Sequence, residues 1–154
     1  MLKYVIAVII LFLLGIGTYN VYAQFPSMQL RSTEVPSPND WIGDDEIAVR
    51  NKNVLLSIPN ATLVAYANTN SMDPVLDESA QGIEIRPAQG ELRAGDIISY
   101  HSKRANVIVV HRIISIGEDE LGAYYTTKGD NNKDQDPERV RFEDIEGVVV
   151  ALIY

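Results

Sequence analysis

Val107-Ile108-Val109-Val110-His111-Arg112-Ile113-Ile114-Ser115-Ile116 is the stretch that decides what kind of fold this chain adopts. Seven of its ten residues are Val or Ile, in runs rather than in alternation. That pattern predicts a β-strand buried on both faces. His111 and Arg112 interrupt it, and neighbouring side chains of a strand point to opposite faces. Burying either without a partner costs several kcal/mol, so each must be hydrogen-bonded from its own side. The plain reading is a core histidine bonded to backbone and an arginine that reaches the rim. The sharper one is a histidine held for chemistry.

Outward from this strand, the apolar runs are short, rich in β-branched residues and separated by turn clusters. Strands are expected near 54–58, 63–67, 83–86, 96–100, 107–116, 123–127 and 147–153. No segment after residue 41 sustains a helical period and no internal repeat is evident. A chain of 154 residues holds one domain with a substantial core. The expectation is a mainly β domain over residues 41–154, curled into a barrel or folded as two packed sheets.

Lys3 is followed by an uncharged stretch that ends only at Arg31. From Tyr4 to Ala23, as a helix, it would span about 30 Å, one hydrocarbon thickness. Tyr19 and Tyr22 suit the membrane interface, and Lys3 favours a cytoplasmic N-terminus with the rest of the chain on the outer face. Residues 1–23 are therefore expected to be a single-pass signal-anchor. Val21-Tyr22-Ala23 also fits the end of a cleaved signal peptide. Residues 24–40, with Pro26, Pro36 and Pro38, read as a linker. The net charge of −8, without a basic block, argues against a nucleic-acid partner. With no cysteine, disulfides, thiolate metal sites and a cysteine nucleophile are excluded.

Two polar stretches supply what a histidine base needs. Thr69-Asn70-Ser71-Met72-Asp73-Pro74-Val75-Leu76 puts a serine on a turn after an apolar run, with Pro74 restricting the local backbone. Thr126-Thr127-Lys128-Gly129-Asp130-Asn131-Asn132-Lys133-Asp134-Gln135-Asp136-Pro137 offers carboxylates on a structured turn, built from residue types that favour left-handed backbone. Its spacing is not that of a calcium loop, and His101 sits apart in a polar hairpin stretch, so no metal and no cofactor is expected. Serine, histidine and aspartate together can form a nucleophile, a base and an orienter. Asn60-Ala61-Thr62 fits the glycosylation sequon, a triplet common by chance.

Taken in order, these motifs resemble the type I signal peptidases. Ser71-Met72-Asp73-Pro74-Val75-Leu76 is similar to the family's nucleophile motif, and Gly95-Asp96-Ile97-Ile98 to its Gly-Asp strand entry. His111-Arg112 resembles the His-Arg pair of the archaeal and endoplasmic-reticulum branch. Thr127-Lys128-Gly129-Asp130-Asn131-Asn132, then Asp136 and Gly147-Val148-Val149, resemble its closing motifs. The resemblance implies a curled β-sheet or barrel domain behind one N-terminal transmembrane helix. It implies a membrane-anchored serine endopeptidase that removes signal peptides after a small-x-small site. By position Ser71 is the nucleophile, His111 the general base and Asp136 the third member, with Asp130 a second required aspartate that shapes the site. Thr69 and the Ser71 N–H would form the oxyanion hole. Leu63, Ala65, Ala67 and Met72 would line the substrate pockets. The partners so implied are preproteins, membrane lipid and, as candidates, secretion-machinery or peptidase-complex subunits.

Three features depart from the family pattern. Asn70 stands where glycine is usual, Asp77-Glu78-Ser79-Ala80-Gln81 is inserted, and Gly82-Ile83-Glu84-Ile85 lacks the expected aspartate. The alternatives are a cytosolic self-cleaving repressor, which the apolar N-terminus and acidic charge disfavour, and a non-catalytic membrane-tethered β module that binds secreted or membrane proteins.

Overall fold

A computed structural model describes residues 34–154. The expected anchor at 1–23 and most of the linker lie outside these residues. Among those described, no helix is long and apolar enough to cross a membrane. The domain is mainly β. Strands β1 (Ile47–Arg50) and β2 (Asn53–Leu56) form a separate hairpin. The remaining strands are β3 (Thr62–Ala65), β4 (Gln81–Ile85), β5 (Ile97–Ser102), β6 (Val107–Asp119), β7 (Gly122–Lys128) and β8 (Ile145–Ile153). They make one antiparallel sheet in the order β3-β4-β8-β5-β6-β7, open at both edges rather than closed as a barrel.

All seven expected strands form, with ends shifted by a few residues, and β1 is additional. Its turn is Asn51-Lys52, both at positive φ (50° and 67°), the backbone that a two-residue hairpin of this twist requires. The polar hairpin after β5 turns at residues 103–106, so His101 still belongs to the strand.

Strand β6 corrects the expectation of burial on both faces. Only His111 and Ile113 are buried in it, and Val107 and Ile108 are each 53 % exposed. The reason is its pairing. Over Val107–Arg112 it pairs with β5, and over Arg112–Asp119 with β7. Each end therefore projects beyond the better covered middle, where His111 and Arg112 sit.

The sheet buries apolar residues on both faces, as alternation along its central strands dictates. Ile98, Tyr100, Ile113, Tyr125, Val140, Ile145 and Val148 form one cluster, with Trp41 and Phe142 against it. Ile97 and Val149, one residue out of phase, face the other way and pack with Met72, Leu76 and Ala80. The second cluster is the floor beneath the serine turn. The inserted stretch thus contributes Ala80, fully buried, to that floor.

Asp96 fastens the start of the domain. Buried at the entry to β5, its carboxylate accepts hydrogen bonds from Asn39 N (2.7 Å), Trp41 Nε1 (2.9 Å) and Arg93 N (2.7 Å). Gly95, at φ +108°, lets the backbone of Pro36 and Ser37 approach where a Cβ would overlap it. Asp96→Ala should strand three donors and cost about 3 kcal/mol, read as a lower urea midpoint at unchanged m-value. A change under about 0.5 kcal/mol would show that the strap contributes no more than an ordinary surface contact.

Candidate active site

Ser71 begins a turn over residues 71–75 that is closed by Val75 N and Leu76 N bonding to Met72 O (2.9 and 3.0 Å). Asn70 adopts φ 56°, left-handed backbone that asparagine tolerates better than most residues. Its occurrence in place of glycine is thereby accommodated. The 129–132 turn docks directly on this segment: Asn131 N bonds to Ser71 O (3.0 Å) and Asn131 Nδ2 to Asn70 O (2.9 Å). That turn is closed by Asn132 N to Gly129 O (3.0 Å) without any residue at positive φ. Gly129 is the contact point, since a Cβ there would overlap Ser71 O.

His111, only 7 % exposed, is held from behind. Its Nδ1 lies 2.7 Å from Asp136 Oδ2, which also accepts from Thr127 Oγ1 (2.6 Å) and Tyr100 Oη (3.1 Å). Burial alone would push the Asp136 carboxyl up. The hydrogen bonds from His111, Thr127 and Tyr100, with the charge of His111, outweigh it and hold the carboxyl below its ordinary range. An ionised carboxylate facing Nδ1 keeps the proton on that nitrogen and leaves the Nε2 lone pair as the base.

Asp130 does a different job. Both its oxygens accept from Arg112, at 2.8 Å from Nε and 2.6 Å from Nη2, and Arg112 Nη1 donates to Gly95 O (2.7 Å). Its carboxylate thus pairs with Arg112, on the face of β6 opposite His111, and its backbone N–H meets Met72 Sδ at 3.4 Å. The fork braces the 129–132 turn against β6 and the serine turn, and Asp130 is a positioning residue.

Ser71 and His111 line one cleft of about 270 Å³, together with Thr69, Ala67, Met72, Tyr66 and Val107 to Val110. The cleft wall is mainly apolar, with the polar groups gathered at Thr69, Ser71 and His111. The hydrogen bond of Ser71 Oγ runs to Thr69 Oγ1 (3.0 Å). Of the expected pocket residues, Ala67 and Met72 line this cleft and Ala65 lines a neighbouring one. Leu63 lines neither and is 63 % exposed on edge strand β3. No motif marks Tyr100, and Thr127 opens a motif without any sign in it of a bond to Asp136. Their signal is only that a polar group in a buried strand needs a partner. No protein-family model and no curated protein matches the chain.

Gly129→Ala should force the serine and aspartate turns apart and lower stability by about 1–3 kcal/mol, whereas a tolerated alanine would mean the two turns are not in obligatory contact. The depressed Asp136 pKa stabilises the fold fully above the unfolded value of about 4, and that contribution is lost as pH falls through the lower folded value. Denaturation of the wild type and Asp136→Asn from pH 7 to pH 2 should therefore show a stability gap that narrows only below about pH 4.

Proposed function

We propose that the protein is a membrane-anchored serine endopeptidase that removes N-terminal signal peptides from secreted preproteins after a small-x-small site. In this reading the open, antiparallel sheet is a signal-peptidase-like curled domain. It is carried on the outer face of the cell membrane by one N-terminal transmembrane helix, with the N-terminus cytoplasmic. A single observation supports it most: a serine and a histidine from distant parts of the chain line one cleft, while a carboxylate holds the far nitrogen of the imidazole.

The chemistry follows from that placement. His111 Nε2 takes the Ser71 proton as Oγ attacks the scissile carbonyl, and Asp136 stabilises the imidazolium that forms. Charge on the tetrahedral oxygen would be met by the Ser71 N–H and the Thr69 hydroxyl, each donor contributing on the order of 3 kcal/mol. His111 then returns its proton to the leaving amine. Water, activated by the same base, releases the acyl chain and restores Ser71. The apolar wall suits small side chains before the scissile bond. In the structure the Ser71 hydroxyl is bonded to Thr69 and must rotate toward His111 for the first step. Catalytic hydrogen bonds often tighten only with substrate bound.

That same hydrogen bond favours the second reading, a non-catalytic membrane-tethered module that grips preproteins in the cleft. Cleavage of a preprotein by the full, detergent-solubilised chain separates the two. Ser71→Ala and His111→Ala should abolish cleavage, and Asp136→Asn should lower kcat by roughly 10³–10⁴. Asp130→Asn should reduce kcat and stability together, because it acts through Arg112. An inert wild type that binds preprotein as well as its Ser71→Ala variant does would leave the binding module as the answer.

A further inference from the structure

Beside the main cleft lies a second one of about 400 Å³ that shares Tyr66, Ile108 and Val110 with it. Its polar groups are Glu84, Ser99, Tyr66 and Thr62, and Glu146 also lines it. Among the described residues no lysine or arginine lines it, and Arg86 pairs with Glu146 at 3.4 Å. Glu84 is only 7 % exposed and sits on β4, one strand in from the edge. Its Oε2 accepts from Ser99 Oγ at 2.7 Å. The Tyr66 hydroxyl is buried and, among the described residues, has no hydrogen-bond partner of regular geometry.

Two glycines make the room. A Cβ at Gly147 would come within 2.6 Å of the same Glu84 oxygen, and a Cβ at Gly82 would overlap the Tyr66 ring and hydroxyl. A carboxyl and a phenol are thus seated over the sheet in space that alanine would remove. No step of the peptidase chemistry uses either. A buried hydroxyl without a well-aligned partner costs free energy, part of which a ligand group reaching it would recover.

We infer that the second cleft is a specificity subsite in which Glu84 and Tyr66 recognise a neutral hydrogen-bonding side chain of the substrate, a hydroxyl or a primary amide, upstream of the scissile bond. This rests on the peptidase reading above. The shared wall makes the two clefts neighbours along one extended chain, whose residues advance about 3.3 Å each. Burial pushes the Glu84 carboxyl up, while the Ser99 hydrogen bond and the nearby Tyr66 hydroxyl pull the other way. Burial, then Glu84, likewise raises the Tyr66 hydroxyl. The Glu84 carboxyl accepts, and the Tyr66 phenol can both donate and accept, which complements an amide or a hydroxyl. An acidic side chain meets the carboxyl of Glu84, and of Glu146, whose one ion-pair partner among the described residues is Arg86 at 3.4 Å.

The test is a peptide series in which each residue from two to five before the bond is in turn Ala, Ser, Asn or Asp. Cleavage is measured with the detergent-solubilised full chain, and binding with its Ser71→Ala variant. At one position Ser or Asn should exceed Ala by roughly tenfold in both readouts, with Asp weakest. Tyr66→Phe, which removes only the hydroxyl, and Glu84→Leu should each bring Ser, Asn and Ala within about twofold. If Glu84→Leu fails to unfold cooperatively, Tyr66→Phe decides alone. Cleavage without preference at any position overturns the subsite and leaves the peptidase standing. A preference that survives both substitutions overturns it too. Donor-dependent binding without cleavage keeps the subsite and overturns the peptidase, and neither cleavage nor binding overturns both.

Discussion

The structure of this domain depends on one carboxylate oxygen. Asp136 Oδ2 lies in a largely buried position and receives donors from three consecutive strands of the sheet: Tyr100 on β5, His111 on β6 and Thr127 on β7. Taking a carboxylate out of water is affordable only where such donors replace the lost hydration. The requirement works in both directions. It fixes where the loop after β7 must return, assisted by Asp136 N bonding to Thr127 O at 2.8 Å, and it fixes the plane of the His111 ring.

The geometry of β6 makes this convergence possible. The strand exchanges one partner for the other at Arg112. His111 and Arg112 therefore stand where β5, β6 and β7 are all within reach, and they address opposite faces. One carries Asp136 and faces the cleft, and the other carries Asp130 and binds the backbone at Gly95. Two aspartates six residues apart are thus sorted by the alternation of a single strand into an orienter of the imidazole and a brace for the loop.

Much of this was legible in the residues. Short runs rich in apolar, β-branched and aromatic residues located seven strands, because such runs between turn clusters have few other uses in a chain without helical periodicity. Strand β1 was not legible: Asn51-Lys52 lacks the glycine that normally signals such a hairpin. Its apolar residues are also largely exposed, Ile47 and Val49 among them, so Ile47-Ala48-Val49-Arg50 shows no clean burial pattern. At the site, Ser71 and His111 stand out by type and setting, whereas Asp136 is picked out from the other aspartates of its turn only by the family resemblance. Tyr100 does not, since it occupies an ordinary strand position, and Thr127, though it opens the closing motif, acquires its role only when the sheet brings it to Asp136. The expectation that β6 is buried throughout failed because apolar character in a strand reports a preference for burial, whereas register decides how far the neighbours extend.

The seating of Glu84 and Tyr66 has a further consequence, for how this sequence can change. Gly147 is bound to Glu84, and Gly82 to Tyr66, by shared volume rather than by shared chemistry. Within each pair the larger member sets the size limit on the smaller, so enlarging either glycine alone displaces its partner. Scanned one position at a time, each glycine would show the cost of moving its partner as its own. Accessible routes through sequence space run instead through the partner, shrinking Glu84 or Tyr66 before a side chain appears at the glycine. The order of substitution, and not only their sum, governs which descendants of this domain can fold.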